Sequence, residues 1–347
     1  MNDKKFNISN TYHALSLLIL CSSELWAGNV PTSELSTSAL LPQQFLMGGS
    51  ISVAIKNETN FFLKSNGTYD LSGEMEFLEE IEALKKWAES RGEASSSDVP
   101  HFSGSPSIEY EISHLFPSHV RPVVGTTPPR PGPNCFNWAL MDAKILDGQR
   151  LVSPEEWTAS LQLYCKPRLV SQGERPEPGD LMAMRFSEGN NTFTEIHGAV
   201  FIGKTVSTKN GLSESQPYQI SLFSSVAALY NIDQTDGCLA ADLDYPKHCL
   251  SFVNYYDCNR KHRVKNGDFD KLKAFLDSTN IQKFMNSAGE SGKLPARFED
   301  LVKIIARLRL LRINDPLIKN LRDGMVQSFL GHLEYFRCES YGLLLEG

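Results

Sequence analysis

The chain has 347 residues, 41% of them hydrophobic and 22% charged, an ordinary globular composition long enough for one large domain or two modest ones. A formal net charge of −7, with Lys and Arg scattered rather than banded, excludes the electrostatic footprint of a nucleic-acid binder. No run approaches the roughly 18 consecutive apolar residues that a bilayer crossing needs, so nothing past the N-terminus reads as an integral membrane span.

At the N-terminus, Lys4 and Lys5 precede a short apolar run from Ala14 to Cys21, and Ala27 stands where a small residue is wanted for cleavage. This pattern predicts a signal peptide over 1–27 and a periplasmic or secreted protein. A lipid anchor on Cys21 fits less well, because Leu20 occupies a position that favours a small side chain. Gly28 to Gln44 is rich in Ser, Thr and Pro and reads as a tail.

An N-terminal α+β segment is expected over 28–125. Ser50–Lys56 and Asn60–Lys64 carry strand patterns, followed by the turn dipeptide Asn66-Gly67. Phe77, Ile81, Leu84 and Ala88 then recur at helical spacing between Gly73 and Arg91, with Gly92 placed to end the helix. Glu93 to Pro106 is a polar connector, and Pro122 to Pro133 holds five prolines and two glycines, which excludes helix and central strand. A domain boundary is expected there, with a second domain over 126–260.

Within that domain, Ser153-Pro154-Glu155-Glu156 is a capped helix start with proline at the first helical position, and the helix ends before Pro167. From about Asp268 the pattern is helical, through Leu272, Phe275 and Leu276, then Phe298, Leu301, Ile305 and Leu308, then Leu321, Met325 and Leu333. A C-terminal helical extension over 261–347 is therefore expected. Arg307, Arg309 and Arg312 alternate with leucines and read as a solvated face.

The residues with chemical promise begin at Pro131-Gly132-Pro133-Asn134-Cys135-Phe136-Asn137-Trp138. A Pro-Gly loop runs into Asn134, a good helix N-cap, which puts Cys135 at the first helical position. A helix N-terminus presents free N–H groups and about half a unit of positive charge, which favours a thiolate and can cradle an oxyanion. Asn134 is placed to donate to that oxyanion as well as to cap. Pro178-Gly179-Asp180 then turns into the alternating strand Leu181 to Phe186, with Asp180 as turn residue or supporting acid. After a polar loop, Ile196-His197-Gly198-Ala199-Val200-Phe201-Ile202-Gly203 reads as the next strand, opened by His197, 62 residues after Cys135. A thiol nucleophile needs such a base within hydrogen-bond reach.

Cys135 at a helix start, Pro-Gly-Asp-Leu before a strand and His-Gly-Ala-Val-Phe-Ile-Gly together resemble the NlpC-type and CHAP-type papain-like cell-wall hydrolases, over roughly Pro133 to Leu229. The resemblance implies an α+β papain-like core, the catalytic Cys helix packed on an antiparallel sheet. It also implies hydrolysis of peptidoglycan peptide amides through a thioester, and no cofactor. The order Cys before His argues against the circularly permuted acyltransferase branch. The family carries a third polar residue about a dozen positions after the His to orient it. Here Asn210, 13 residues on, fills that place, and Gln219 on the next strand, Tyr218 to Phe223, is the reserve. Asn210-Gly211 is equally a hairpin-turn dipeptide. Two other readings stay open: a cysteine protease or exported effector acting on proteins, and a catalytically degenerate binding module.

Of seven cysteines, setting aside Cys21 and Cys135 leaves Cys165, Cys238, Cys249, Cys258 and Cys338, enough for two disulfides and one thiol, with the 238–258 cluster as the favoured place. Zinc is the competing reading, but no C-x-x-C pair is present and His248 directly adjoins Cys249. Nothing in the sequence sets the oligomeric state.

Overall fold

The computed structural model describes residues 45–46, 51–56, 60–65, 71–94, 109–129, 133–189, 192–211, 215–242, 248–258, 266–278, 294–327 and 329–330. The expected signal peptide, the Gly28 to Gln44 tail, the Asn66-Gly67 turn, most of the polar connector, Leu333 and Cys338 lie outside the described residues. The described residues group into two compact units, one within 39–265 and one from Asn266 onward. No helix among them is long and apolar enough to cross a membrane.

The first unit is α+β, and every strand pairing in it is antiparallel. Strands β1 (Phe45–Leu46), β2 (Ile51–Lys56), β3 (Asn60–Ser65) and β4 (Glu109–Glu111) form a sheet in sequence order. Helix α1 (Leu71–Ser90) follows β3, and Gly92 closes it at φ +83°, a left-handed conformation that glycine adopts without strain. Helices α2 (Cys135–Asp142) and α3 (Pro154–Tyr164) come next. The second sheet runs β5-β10-β6-β7-β8-β9, comprising β5 (Lys166–Pro167), β6 (Leu181–Gly189), β7 (Thr192–Phe201), β8 (Thr205–Lys209), β9 (Tyr218–Leu222) and β10 (Ser251–Asp257). Helices α4 (Phe223–Leu229) and α5 (Asp236–Leu239) lie between β9 and β10, so Phe223 starts a helix rather than ending the strand.

The fold does not divide near residue 125. Phe61 of β3, Phe77 and Trp87 of α1, Trp138 of α2, Trp157 of α3 and Val200 of β7 belong to one buried cluster. Burying a large apolar side chain contributes about 1.5–3 kcal/mol, so α1 is held by the same core that holds α2. Polar contacts reinforce the join. The buried Glu80 carboxylate of α1 accepts the N–H groups of Lys204 (2.7 Å) and Thr205 (3.1 Å) and the Thr205 hydroxyl, fixing the β7–β8 turn. Asp142, at the end of α2, accepts from Arg91 Nε (2.7 Å) and Trp87 Nε1 (3.1 Å), while Arg91 Nη2 donates to the Gly179 carbonyl at 2.9 Å.

Two disulfides close loops in this unit, Cys165–Cys258 and Cys238–Cys249. The first ties the end of α3 to the end of β10, and the second lies within the cluster singled out in the sequence.

In the second unit, α6 (Gly267–Ser278), α7 (Leu294–Leu310) and a helix over 316–327 carry buried Phe269, Leu272, Leu301, Leu308, Ile318 and Leu321. Asn266 Oδ1 caps α6 by accepting from Asp268 and Phe269 N–H at 3.1 Å, and Asp315 Oδ1 caps the last helix through Leu317 and Ile318. Arg307 and Arg309 are exposed, with the Arg307 guanidinium 5.3 Å from the Phe275 ring centroid.

Candidate active site

Asn134 holds extended backbone and its side-chain oxygen accepts from Asn137 N–H at 3.1 Å, the N-cap expected from its place after the Pro-Gly loop. Cys135 is thereby the first residue of α2 and a free thiol, 7% exposed. The N–H groups of Gly198, on β7, and Phe136 donate to its sulfur. Gly198 is required for this approach: a Cβ there would lie 2.9 Å from Phe136 Cδ1 and 3.3 Å from the Trp157 ring. The helix N-terminus does not produce the low thiol pKa expected from the sequence. Burial pushes Cys135 up to about 11 and outweighs the donated N–H groups and the Lys209 charge, which act downward.

His197 lies within β7 rather than at its start. The strand begins at Thr192 because Arg185 and Glu195 form a buried ion pair (Nη2 to Oε1, 2.6 Å) that extends the β6–β7 pairing through the expected loop. A register shift between the pairs Arg185–Glu195 and Met184–His197 bulges the strand at Ile196, just before the histidine. Beyond it, Val200 and Ile202 face the core shared with α2, whereas Ala199 and Phe201 pack in the cluster that holds Val226 of α4. By alternation His197 sides with Ala199, and its ring stacks on Tyr230 at 4.0 Å between centroids.

The ring of His197 is buried, and its Nε2 lies 2.7 Å from Thr208 Oγ1 on β8. Its Nδ1 has no hydrogen-bond partner among the described residues. With the proton on Nε2, Thr208 Oγ1 accepts it and Nδ1 keeps a lone pair. Burial pushes His197 down to about 3, so the imidazole is neutral throughout the physiological range. The thiol and the imidazole therefore rest uncharged and are linked through the Gly198 amide rather than by a direct hydrogen bond.

In comparisons with family models, curated proteins and solved structures, this chain matches nothing. The site has to be read from its own geometry.

Thr208, not Asn210, is the His197 partner. Asn210 follows the last residue of β8, beside Gly211 at φ +75°, and its Oδ1 has no hydrogen-bond partner among the described residues. The strand ends one residue before Asn210, which with Gly211 opens the connection to β9. Gln219 stands directly across from Thr208 on β9, half-buried. The second atom of the Asn134 amide is also engaged, with Nδ2 donating to the Val152 carbonyl at 2.8 Å, so Asn134 holds the α2 start in place. Asp180 accepts from Arg168 Nε (2.9 Å), Arg168 Nη2 (3.0 Å) and the Glu177 N–H (2.9 Å), which makes it the anchor of the turn before β6.

Sequence reasoning missed Thr208, Tyr230 as the ring that stacks on His197, and Lys209. Lys209 is fully buried, its Nζ donates to the Gly211 carbonyl at 3.0 Å, and burial pushes it down to about 8 against an upward pull from Cys135. The sequence carried no signal for Lys209, because the burial of all five residues of β8 is visible only in the fold. Cys238, His248 and Cys249 bring ligand-type atoms within 4.8 Å of one another, but both sulfurs are bonded to each other and offer no thiolate to a metal.

Proposed function

We propose that this protein is a cysteine hydrolase with a papain-like catalytic core, exported to the periplasm or beyond, that cleaves peptide amide bonds of peptidoglycan. The observation that carries the reading is a free thiol at a helix N-terminus beneath the amide next to a histidine whose Nδ1 is left open by the Thr208 contact. The resemblance of the Cys135, Pro178-Gly179-Asp180 and His197-Gly198 segments to cell-wall hydrolases supports the substrate class, and the two disulfides are in keeping with export.

In the proposed reaction the His197 ring, which rests on the face of β7 away from α2, first turns past Gly198 to the sulfur, and the Cys135 thiol proton then passes to His197 Nδ1 as the sulfur attacks the amide carbonyl. The N–H groups of Phe136 and Gly198, which rest on the sulfur, stabilise the oxyanion as the sulfur moves onto the carbonyl carbon, in a site dry enough to make them effective. The C–N bond breaks as His197 returns the proton to the leaving nitrogen, giving a thioester. Water, deprotonated by the same nitrogen, then releases the acid and restores the thiol. Substrate is required to start this sequence, because the resting thiol and imidazole are both neutral; catalytic contacts of this kind tighten on substrate binding.

The raised thiol pKa favours a second reading, a degenerate module in which Cys135 is an inert buried residue. Acid-quenched mixtures of the protein with peptidoglycan peptides separate the two when intact mass is measured. The hydrolase reading predicts a peptidyl adduct on Cys135, absent from Cys135→Ala. No adduct in any quench, with a folded protein and a reduced thiol, would support the binding module.

A further inference from the structure

Helix α2 is anchored on the β8–β9 hairpin by Trp138. Its Nε1 donates to Ser207 Oγ at 2.9 Å and its ring lies 4.6 Å from that of Tyr218. Cys135 is three residues, one helical turn, before Trp138 on the same helix face. Lys209 is two residues beyond Ser207, hence on the same face of β8, and is paired directly across from Tyr218. One step along the helix and one along the strand from a single anchor therefore bring the buried Lys209 side chain to the start of α2. His197 and Thr208 share the other strand parity.

We propose that Lys209 is the positioning residue for the Cys135 thiolate: its ammonium, held toward the site by the Gly211 carbonyl, pairs with the sulfur as His197 removes the proton. This deepens the hydrolase reading and rests on it for its catalytic meaning, but the pairing also acts on the small thiolate fraction that the free protein forms as the pH rises. Each group perturbs the other's protonation, as a close pair must. The titratable groups nearest the pair are Tyr218 from β9, on the same face, and His197 from β7 with Tyr230 from the end of α4, which stack together on the opposite face. Burial pushes both tyrosines up beyond the ordinary phenol range and His197 down to about 3, so none of them changes charge between pH 6 and 10.

The test is the pH dependence of iodoacetamide alkylation at Cys135 in the full chain, read by peptide mass so that other thiols do not interfere. In the wild type the rate should rise with unit slope, then break near pH 8 as Lys209 loses its proton. Lys209→Met should remove the break and lower the rate about tenfold below pH 8, one pKa unit of lost pairing, while Lys209→Arg keeps the low-pH rate. Profiles of wild type and Lys209→Met that overlay within about twofold from pH 6 to 10 would overturn the pairing. If Lys209→Met does not fold by near-ultraviolet circular dichroism, the Lys209→Arg profile decides. A guanidinium keeps its charge to pH 10, so the break should vanish while the low-pH rate stays, and a break that remains near pH 8 overturns the proposal. Neither experiment uses a substrate, so a pair that forms in a protein without hydrolytic activity defeats the hydrolase reading alone, and cleavage without a pair defeats this inference alone.

Discussion

At the scale of the residue, the contact with most leverage is Thr208 Oγ1 to His197 Nε2, 2.7 Å long and buried. With the proton on Nε2, Thr208 accepts it and Nδ1 stays basic. Thr208→Val keeps the shape and removes the acceptor, and a buried hydrogen bond worth about 1.5 kcal/mol corresponds to about a tenfold loss in kcat/KM. Thr208→Ser should retain activity, and Asn210→Ala should change it less than about twofold. The position of Cys135 at a helix start was legible because Pro-Gly-Pro-Asn permits little else. The Thr208 contact was not, because it depends on how many residues the β7–β8 turn takes, a detail set by Glu80 from a distant helix. Nor does sequence show burial depth, which here reverses the expected direction of the thiol pKa. His197 has a folded pKa below its ordinary value, so it contributes stability above about pH 6.5 that is lost as the pH falls toward 3. The loss is up to about 1.4 kcal/mol per pH unit, and thermal melts of His197→Gln between pH 6.5 and 4 should show a shallower fall than the wild type.

Among the elements, the placement of α2 depends on both of its ends. Asn134 fixes the first turn, and Asp142 fixes the last through Arg91 and Trp87. Asp142→Ala would leave the buried Arg91 without its carboxylate and should cost about 3–5 kcal/mol, measurable by denaturant unfolding. Gly198→Ala tests the other constraint. Its methyl would meet Phe136 at 2.9 Å, so the α2 start must shift, and the expected result is overpacking of about 1–3 kcal/mol together with a changed Cys135 alkylation rate. The helices α1, α2 and α3 were readable from capping residues and apolar spacing. The insertion of β10 between β5 and β6 was not, because strand partners separated by more than 60 residues are chosen by packing rather than by local pattern.

For the whole molecule, the Pro-rich segment looked like a domain linker and is not one. Its described residues form neither helix nor strand, as expected, but Gly125 N–H donates to the Tyr218 carbonyl at 2.6 Å and Tyr218 N–H to the Thr126 carbonyl at 3.0 Å, which lays Gly125 and Thr126 beside β9. Composition reports what a segment cannot form; it does not report what lies beside it. The Cys165–Cys258 disulfide closes a span of 93 residues around the β6–β9 meander, and loop closure of that length contributes about 4–5 kcal/mol. Replacing both cysteines by serine should lower unfolding stability by an amount of that order while leaving the Cys135 site assembled. The central claim is that Cys135 breaks an amide in peptidoglycan. Mass spectrometry of muropeptides after incubating intact peptidoglycan with the wild type and with Cys135→Ala tests it most directly. The account predicts new peptide fragments with the wild type alone, cut at one bond type. Identical muropeptide profiles from both proteins, folded and with the wild-type thiol reduced, would contradict it.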